Sequence, residues 1–221
     1  GKPDYMGQYV VDHPGVYETK VSQLTSGGLS AQFYDNQWMH GSPSIQRIDP
    51  AINFDWSTGL VTEKSIDYAS ARWSGKLMVD KSEIYTLYLS ADDDARLYLN
   101  HTLLIDMGGE CCVEKRVKIA LNASVFYDLV VEYKELTGTA SVSLGYSSMS
   151  VKKQIIPSSK LYHSVPIVGS PYKTQVVPGA AEYPYTDAYG SGLTDAITGT
   201  PAGFFIQTKD SRGNNLTTDY E

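Results

Sequence analysis

Residues 84–106 read IYTLYLSADDDARLYLNHTLLID. Tyr85, Leu87 and Leu89 alternate with Thr86, Tyr88 and Ser90. A period of two marks a strand with one buried face and one wet face. Leu97 and Leu99 resume the alternation, with Arg96 and Tyr98 on the opposite face. The stretch therefore predicts strand, acidic turn, strand, short polar turn, strand. The acidic turn carries Asp92, Asp93 and Asp94. Three adjacent carboxylates repel one another. A hard cation bound by oxygen ligands would offset that repulsion; a fully solvated acidic turn is the alternative.

The same pattern spreads outward. Leu29 to Tyr34 and Ala71 to Val79 predict strands upstream; Val113 to Leu121, Phe126 to Tyr133 and Thr139 to Tyr146 predict strands downstream. Between Asp35 and Ser65 the chain is irregular, broken by Pro43, Pro50 and Gly59. Trp38, Trp56 and Trp73 are expected to be core anchors rather than sugar platforms, the first two under long loops. No amphipathic helix exceeds about three turns. Seventeen Tyr against five Phe suits strands that are half wet. Many short strands separated by turn residues predict an all-β sandwich or barrel.

The two ends have a different character. Met6 to Val11, the turn Asp12-His13-Pro14-Gly15 and Val16 to Val21 read as two strands joined at a corner. Two strands do not stand alone in water. Residues 165–221 return to short strand-like runs punctuated by Pro and Gly. Such a piece must pack on something outside itself, either the next unit of a longer repeating chain or a separate copy that adds a strand at an open edge. Contacts of that kind run head to tail, and where they do not close into a ring they build a filament.

Charge and motifs exclude several classes. Net charge is −7 and no basic patch is interleaved with aromatics, so nucleic acid is not an expected partner. No apolar run approaches the ~20 residues of a membrane span. The chain opens at Gly1 without a signal-peptide pattern, which reads as a mature or partial chain. His13, His40, His101 and His163 are scattered, with no nucleophile motif, phosphate loop or H-E-x-x-H, so no enzyme activity is expected.

The two cysteines, Cys111 and Cys112, are adjacent and lack the spacing of a zinc site. They close on each other or bridge another chain in an oxidising compartment, and stay thiols in a reducing one; a vicinal disulfide is the pairing expected. Asn100, Asn122 and Asn215 each open an N-x-S/T sequon and are candidate sites for N-linked glycans. Sequons and paired cysteines together predict an extracellular or cell-surface location.

The segments GGLSAQFY (27–34), ARWSGKL (71–77), the acidic hairpin of 84–106, VEYKELTGTASVSLGY (131–146) and IIPSSKLY (155–162) occur in an order that resembles the PA-fourteen domain. That β-barrel family includes anthrax protective antigen, yeast flocculins and bacterial glycosidase inserts. The resemblance spans residues 28–164. It implies that Asp92 and Asp93 bind Ca2+, which in the lectin members bridges to sugar hydroxyls. Those members also draw an Asn from a later loop, whereas loop 134–139 here reads KELTGT.

Residues 165–221 carry GSPY, VVPG, GSGL and FFIQTKDSRGNN, which resemble the first strands of a filamin-type immunoglobulin-like repeat. MGQYVVDHPGVYETKV, within residues 1–27, resembles its last strands. The resemblances together imply a PA-fourteen barrel or sandwich flanked by a split immunoglobulin-like sandwich. The function expected first is a structural, glycosylated, repeating subunit of an extracellular filament or array. The alternative is a calcium-dependent, glycan-binding adhesin module.

Overall fold

A computed structural model describes residues 6–110 and 112–217. In chain order the strands are β1 (Gly15–Thr19), β2 (Ser22–Ser26), β3 (Leu29–Tyr34), β4 (Ile45–Asp49), β5 (Asn53–Ser57), β6 (Ser70–Leu77), β7 (Glu83–Asp92), β8 (Asp94–Leu99) and β9 (Thr102–Asp106). They continue with β10 (Glu114–Leu121), β11 (Tyr127–Lys134), β12 (Ala140–Ser147), β13 (Gln154–Ile155), β14 (Leu161–Pro166), β15 (Tyr172–Val176), β16 (Asp187–Tyr189) and β17 (Phe205–Gln207). The helical turns among the described residues are two three-residue 3-10 segments. None is long and apolar enough to cross a membrane.

The chain forms two compact units, residues 22–165 and residues 1–21 with 166–221. The first unit is a β-sandwich. One sheet runs β10-β7-β12-β13, with β5 sharing the outer edge of β12. The other runs β2-β14-β6-β11-β8-β9, with β3 also on β6 and β4 on β3. The sheets do not close into a barrel, so of the two expected forms the sandwich is the one present.

Alternation explains the core. On β7, Tyr85, Leu87, Leu89 and Ala91 are buried while Thr86, Tyr88, Ser90 and Asp92 are half-buried. On β8, Ala95, Leu97 and Leu99 point inward; on β11, Leu129, Val131 and Tyr133 do. Facing residues from the two sheets join one hydrophobic cluster. Trp73 is its largest member, fully buried, and its Nε1 donates to Asp49 Oδ2 at 2.8 Å. Trp56 is half-buried and stacks on Phe54 with ring centres 5.0 Å apart. Trp38 is no core anchor: it is 72% exposed.

The second unit differs from expectation. Met6–Val11 forms no strand. The two terminal segments, read as pieces completed by neighbouring copies, pair with each other instead. β1 and β15 are antiparallel, with Gly15 opposite Val176 and Thr19 opposite Tyr172. β16 and β17 make a second two-stranded ribbon, with Tyr189 stacked on Phe205. Backbone hydrogen bonds satisfied within one chain remove the need for a partner's strand at that edge. The ends of the expected terminal segments, residues 1–5 and 218–221, lie outside the described residues.

Candidate functional site

The acidic triplet is not a turn within one sheet. Asp92 ends β7 in one sheet and Asp94 begins β8 in the other, so Asp93 sits at the corner where the chain changes layers. The peptide bond between Asp92 and Asp93 is cis. Strand register shows what gathers there. Asp94 lies opposite Lys134, Lys134 opposite Ser70, and Ser70 opposite Tyr34. In the other sheet Asp92 lies opposite Ser141, beside Ala140, which faces Ser57. The loops 35–44, 58–69 and 135–139, with residues 107–110 and 112–113, therefore meet the acidic corner at one end of the sandwich.

Hydrogen bonds tie these loops to the carboxylates. Thr139 Oγ1 donates to Asp92 Oδ2 at 2.6 Å. The backbone N–H groups of Leu136 and Thr137 donate to Asp93 Oδ2 at 2.7 and 3.1 Å. Gly109 N–H donates to Asp94 Oδ1 at 3.2 Å, and Gly138 N–H to Asp67 Oδ1 at 3.1 Å. Asp92 and Asp93 are thus each clamped through Oδ2. Among the described residues neither Oδ1 accepts a hydrogen bond.

Glu135 lies behind them, fully buried. The Tyr133 hydroxyl is 2.7 Å from Glu135 Oε2 and 2.6 Å from the Asp92 carbonyl oxygen. Glu135 Oε1 has no hydrogen-bond partner. One phenolic proton faces two acceptors. The Glu135 carboxyl is pushed up to about 7, first by burial, then by the carboxylates of Asp93, Asp92 and Asp67. Burial, and then Glu135, also push the Tyr133 hydroxyl up. Among the described residues Asp67, Asp92, Asp93 and Glu135 take part in no ion pair. The corner carries excess negative charge in a partly dry setting.

A divalent cation is the chemistry that matches this charge. Among the described residues no three His, Cys, Asp or Glu side chains are gathered closely enough to hold a metal by themselves. Asp92 and Asp93, both half-buried, offer two hard-oxygen donors, each anchored through Oδ2. Ca2+ takes about six to eight oxygens, so water and ligand hydroxyls would supply the remainder.

The other expected site residues fall in different places. Cys112 lies in loop 107–113, its N–H donating to the Ala91 carbonyl at 3.0 Å; Cys111 lies outside the described residues. Asn100 follows β8 and Asn122 follows β10, both at the end of the sandwich opposite the acidic corner. Asn100 Oδ1 accepts from Asp128 N–H at 2.8 Å. Asn215 belongs to the second unit and is exposed. Sequence reading missed Asp67, Thr139 and Glu135. Glu135 had a signal: it continues the inward positions Leu129, Val131 and Tyr133, so a carboxyl stood where an apolar residue was due. A cleft of about 210 Å³ lies away from this corner, lined by Val79, Tyr85, Tyr146 and Lys160 among others. There Lys160 Nζ pairs with Asp80 at 2.6 Å.

The PA14 domain profile matches residues 25–160. Among curated proteins, the anti-sigma-I factor RsgI3 of Acetivibrio thermocellus is 40% identical over 147 residues, 65% of this chain and 22% of that protein. Filamin-A of Drosophila melanogaster is 42% identical over 209 residues, 95% of this chain and 8% of that protein. The chain spans a small part of either relative. Among solved structures, an anti-sigma factor domain-containing protein is similar with TM-score 0.59 and 36% identity, over 76% of this chain and 57% of that one. A PA14 sugar-binding domain from an RTX adhesin is similar with TM-score 0.51 and 15% identity, over 63% and 99%; at that identity the likeness concerns the fold.

Proposed function

We propose, from the premise that the chain belongs to the PA14 domain family, that residues 22–165 are a carbohydrate-binding module of the adhesin type. Asp92 and Asp93 hold a divalent cation, Ca2+ by the hardness of the donors, and the cation's open positions take vicinal hydroxyls of a glycan. When bound, the ion supplies a fixed positive charge for neutral hydroxyl oxygens. The chain's own part is orientation: Thr139, Leu136 and Thr137 fix the two carboxylates before any ligand arrives. The observation that carries this reading is the unpaired charge at the inter-sheet corner, with two carboxylates clamped on one oxygen and open on the other. The sugar-binding RTX adhesin domain, which shares the fold, supports it.

The reading assigns no catalytic step. It places the module at a cell surface or outside the cell, where N-linked glycans on Asn100 and Asn122 would leave the acidic end clear and where Cys111 and Cys112 pair as a vicinal disulfide. The terminal unit is part of a filamin-type immunoglobulin-like array in this reading, which the likeness to Filamin-A supports. The test is calorimetric titration of Ca2+ into chelator-treated protein, followed by a glycan array with and without chelator. Wild type binds calcium and then glycan. Asp92→Asn with Asp93→Asn loses both. A calcium-independent glycan signal, or no calcium heat, overturns the reading.

A second reading has one observation in its favour. Val16, Tyr189, Phe205 and Ile206 are all more than half exposed on the ribbons of the terminal unit, and open ribbons are templates for association. Assembly of copies into a filament or array through those ribbons follows. Sedimentation over a wide concentration range checks it: growth beyond a dimer supports assembly, and a monomer throughout ends it.

A further inference from the structure

Trp38 and Tyr68 are built outward. Trp38 is 72% exposed and Tyr68 56% exposed, whereas Trp73 is fully buried. The exposure does not come from a slack loop. Asn36 Oδ1 accepts from the N–H groups of Trp38 and His40, each at 3.1 Å, and Asn36 Nδ2 donates to the His40 carbonyl at 3.0 Å. Trp38 therefore sits at the apex of a turn locked from within. Met39 has φ +54° and Tyr68 has φ +53°. Non-glycine residues occupy that left-handed region at a cost, and hold it only where the surroundings over-determine it.

Both turns are wired to the acidic corner. Thr62 Oγ1 donates to Asp35 Oδ1 at 2.5 Å, and Ser70 Oγ donates to the Asn36 carbonyl at 2.6 Å, joining the two loops. Tyr68 N–H donates to the Leu136 carbonyl at 3.1 Å, and Leu136 N–H donates to Asp93. Two exposed aromatic rings are thus carried on fixed turns of the loops that meet the acidic corner, and the same loops carry Asn36, His40 and Asp67. A pyranose has that mixed character, with hydroxyls at its edge and C–H groups on its face. A ring carried on a fixed turn loses less entropy when it stacks than one on a mobile loop.

We infer that Trp38 and Tyr68 are stacking platforms for pyranose rings, extending the cation site at Asp92 and Asp93 into a site for an oligosaccharide. This rests on the carbohydrate-binding reading above. Calorimetry in calcium with lactose, cellobiose and maltose, and with methyl glycosides of galactose, glucose, mannose and fucose, tests it. For the tightest disaccharide, Trp38→Ala and Tyr68→Ala each weaken binding about five- to tenfold, the range for an aromatic contact. Calcium heat and thermal midpoint stay at wild-type values, and Trp38→Phe recovers most of the affinity. The bound sugar also shields Trp38 fluorescence from acrylamide. If both alanine variants bind within twofold of wild type while Asp92→Asn with Asp93→Asn does not bind, the platforms are refuted and the cation site stands. If wild type binds none of these sugars, both readings fall.

Discussion

The two units of this chain solve the same folding problem with different materials. In residues 22–165 every strand pair adds to one apolar cluster, and all of the buried hydrophobic residues of the described chain lie there. In the terminal unit the sole buried residue among those described is a carboxylate, Asp210. Its Oδ1 accepts from the N–H groups of Arg212 and Asn214, each at 2.9 Å; its Oδ2 accepts from Gly179 N–H and Asn214 Nδ2, each at 3.0 Å. One unit is held by burial, the other by a polar knot and two short ribbons. Two-stranded ribbons are marginal by themselves because they have no second layer to bury a face. The difference explains why the acidic corner can be preorganised: its loops hang from strands that cannot shift without opening a core.

The comparison breaks first at Trp73. Trp73→Ala removes the largest buried side chain and leaves Asp49 without its indole donor. It destabilises residues 22–165 by about 3–5 kcal/mol in denaturant unfolding. Phe205→Ala, on the exposed β17 ribbon, changes stability by less than about 0.5 kcal/mol. Equal effects would mean that both units have a comparable core.

A smaller effect separates the units by pH. Glu135 has a folded pKa of about 7, above its unfolded value. Its stabilising contribution is complete below about pH 4 and is lost as pH rises through about 7. Chelated protein therefore melts lower at about pH 8 than at about pH 5.5, and Glu135→Gln flattens that dependence. Asp210 has the opposite sign. The Asn214 side chain, then the N–H groups of Gly179, Asn214 and Arg212, hold its carboxyl well below the usual range. Its contribution is present above its unfolded pKa and is lost only as pH falls through that depressed value. Amide shifts of Gly179, Arg212 and Asn214 by NMR stay constant through about pH 5.5–8 and move only in strong acid. Movement at Asp210 near neutrality, or a flat wild-type melting profile, removes the contrast.

Much of the sandwich was legible before any coordinates. Residues 84–89 and 95–99 carry an alternation that marks both strands and both inward faces. Thr139 to Tyr146 and Phe126 to Tyr133 appear within a residue of β12 and β11. Trp38 misled because tryptophan is usually an anchor, and nothing local tells an indole at the apex of an Asn-locked turn from one beneath a loop. The candidate site was half legible: Asp92 and Asp93 announce themselves by charge, Glu135 only by breaking the apolar run of its strand.

Alone, the order of residues determined which stretches are extended and which side of each faces inward, since a pleated backbone turns successive side chains to opposite faces by local geometry. Tertiary structure decided that Asp93 bridges two sheets, that Glu135 sits behind it with an oxygen unpartnered, and that β1 finds β15 across the whole of residues 22–165. Each of those depends on which distant segments share an edge, and a strand's own pattern does not encode its neighbours.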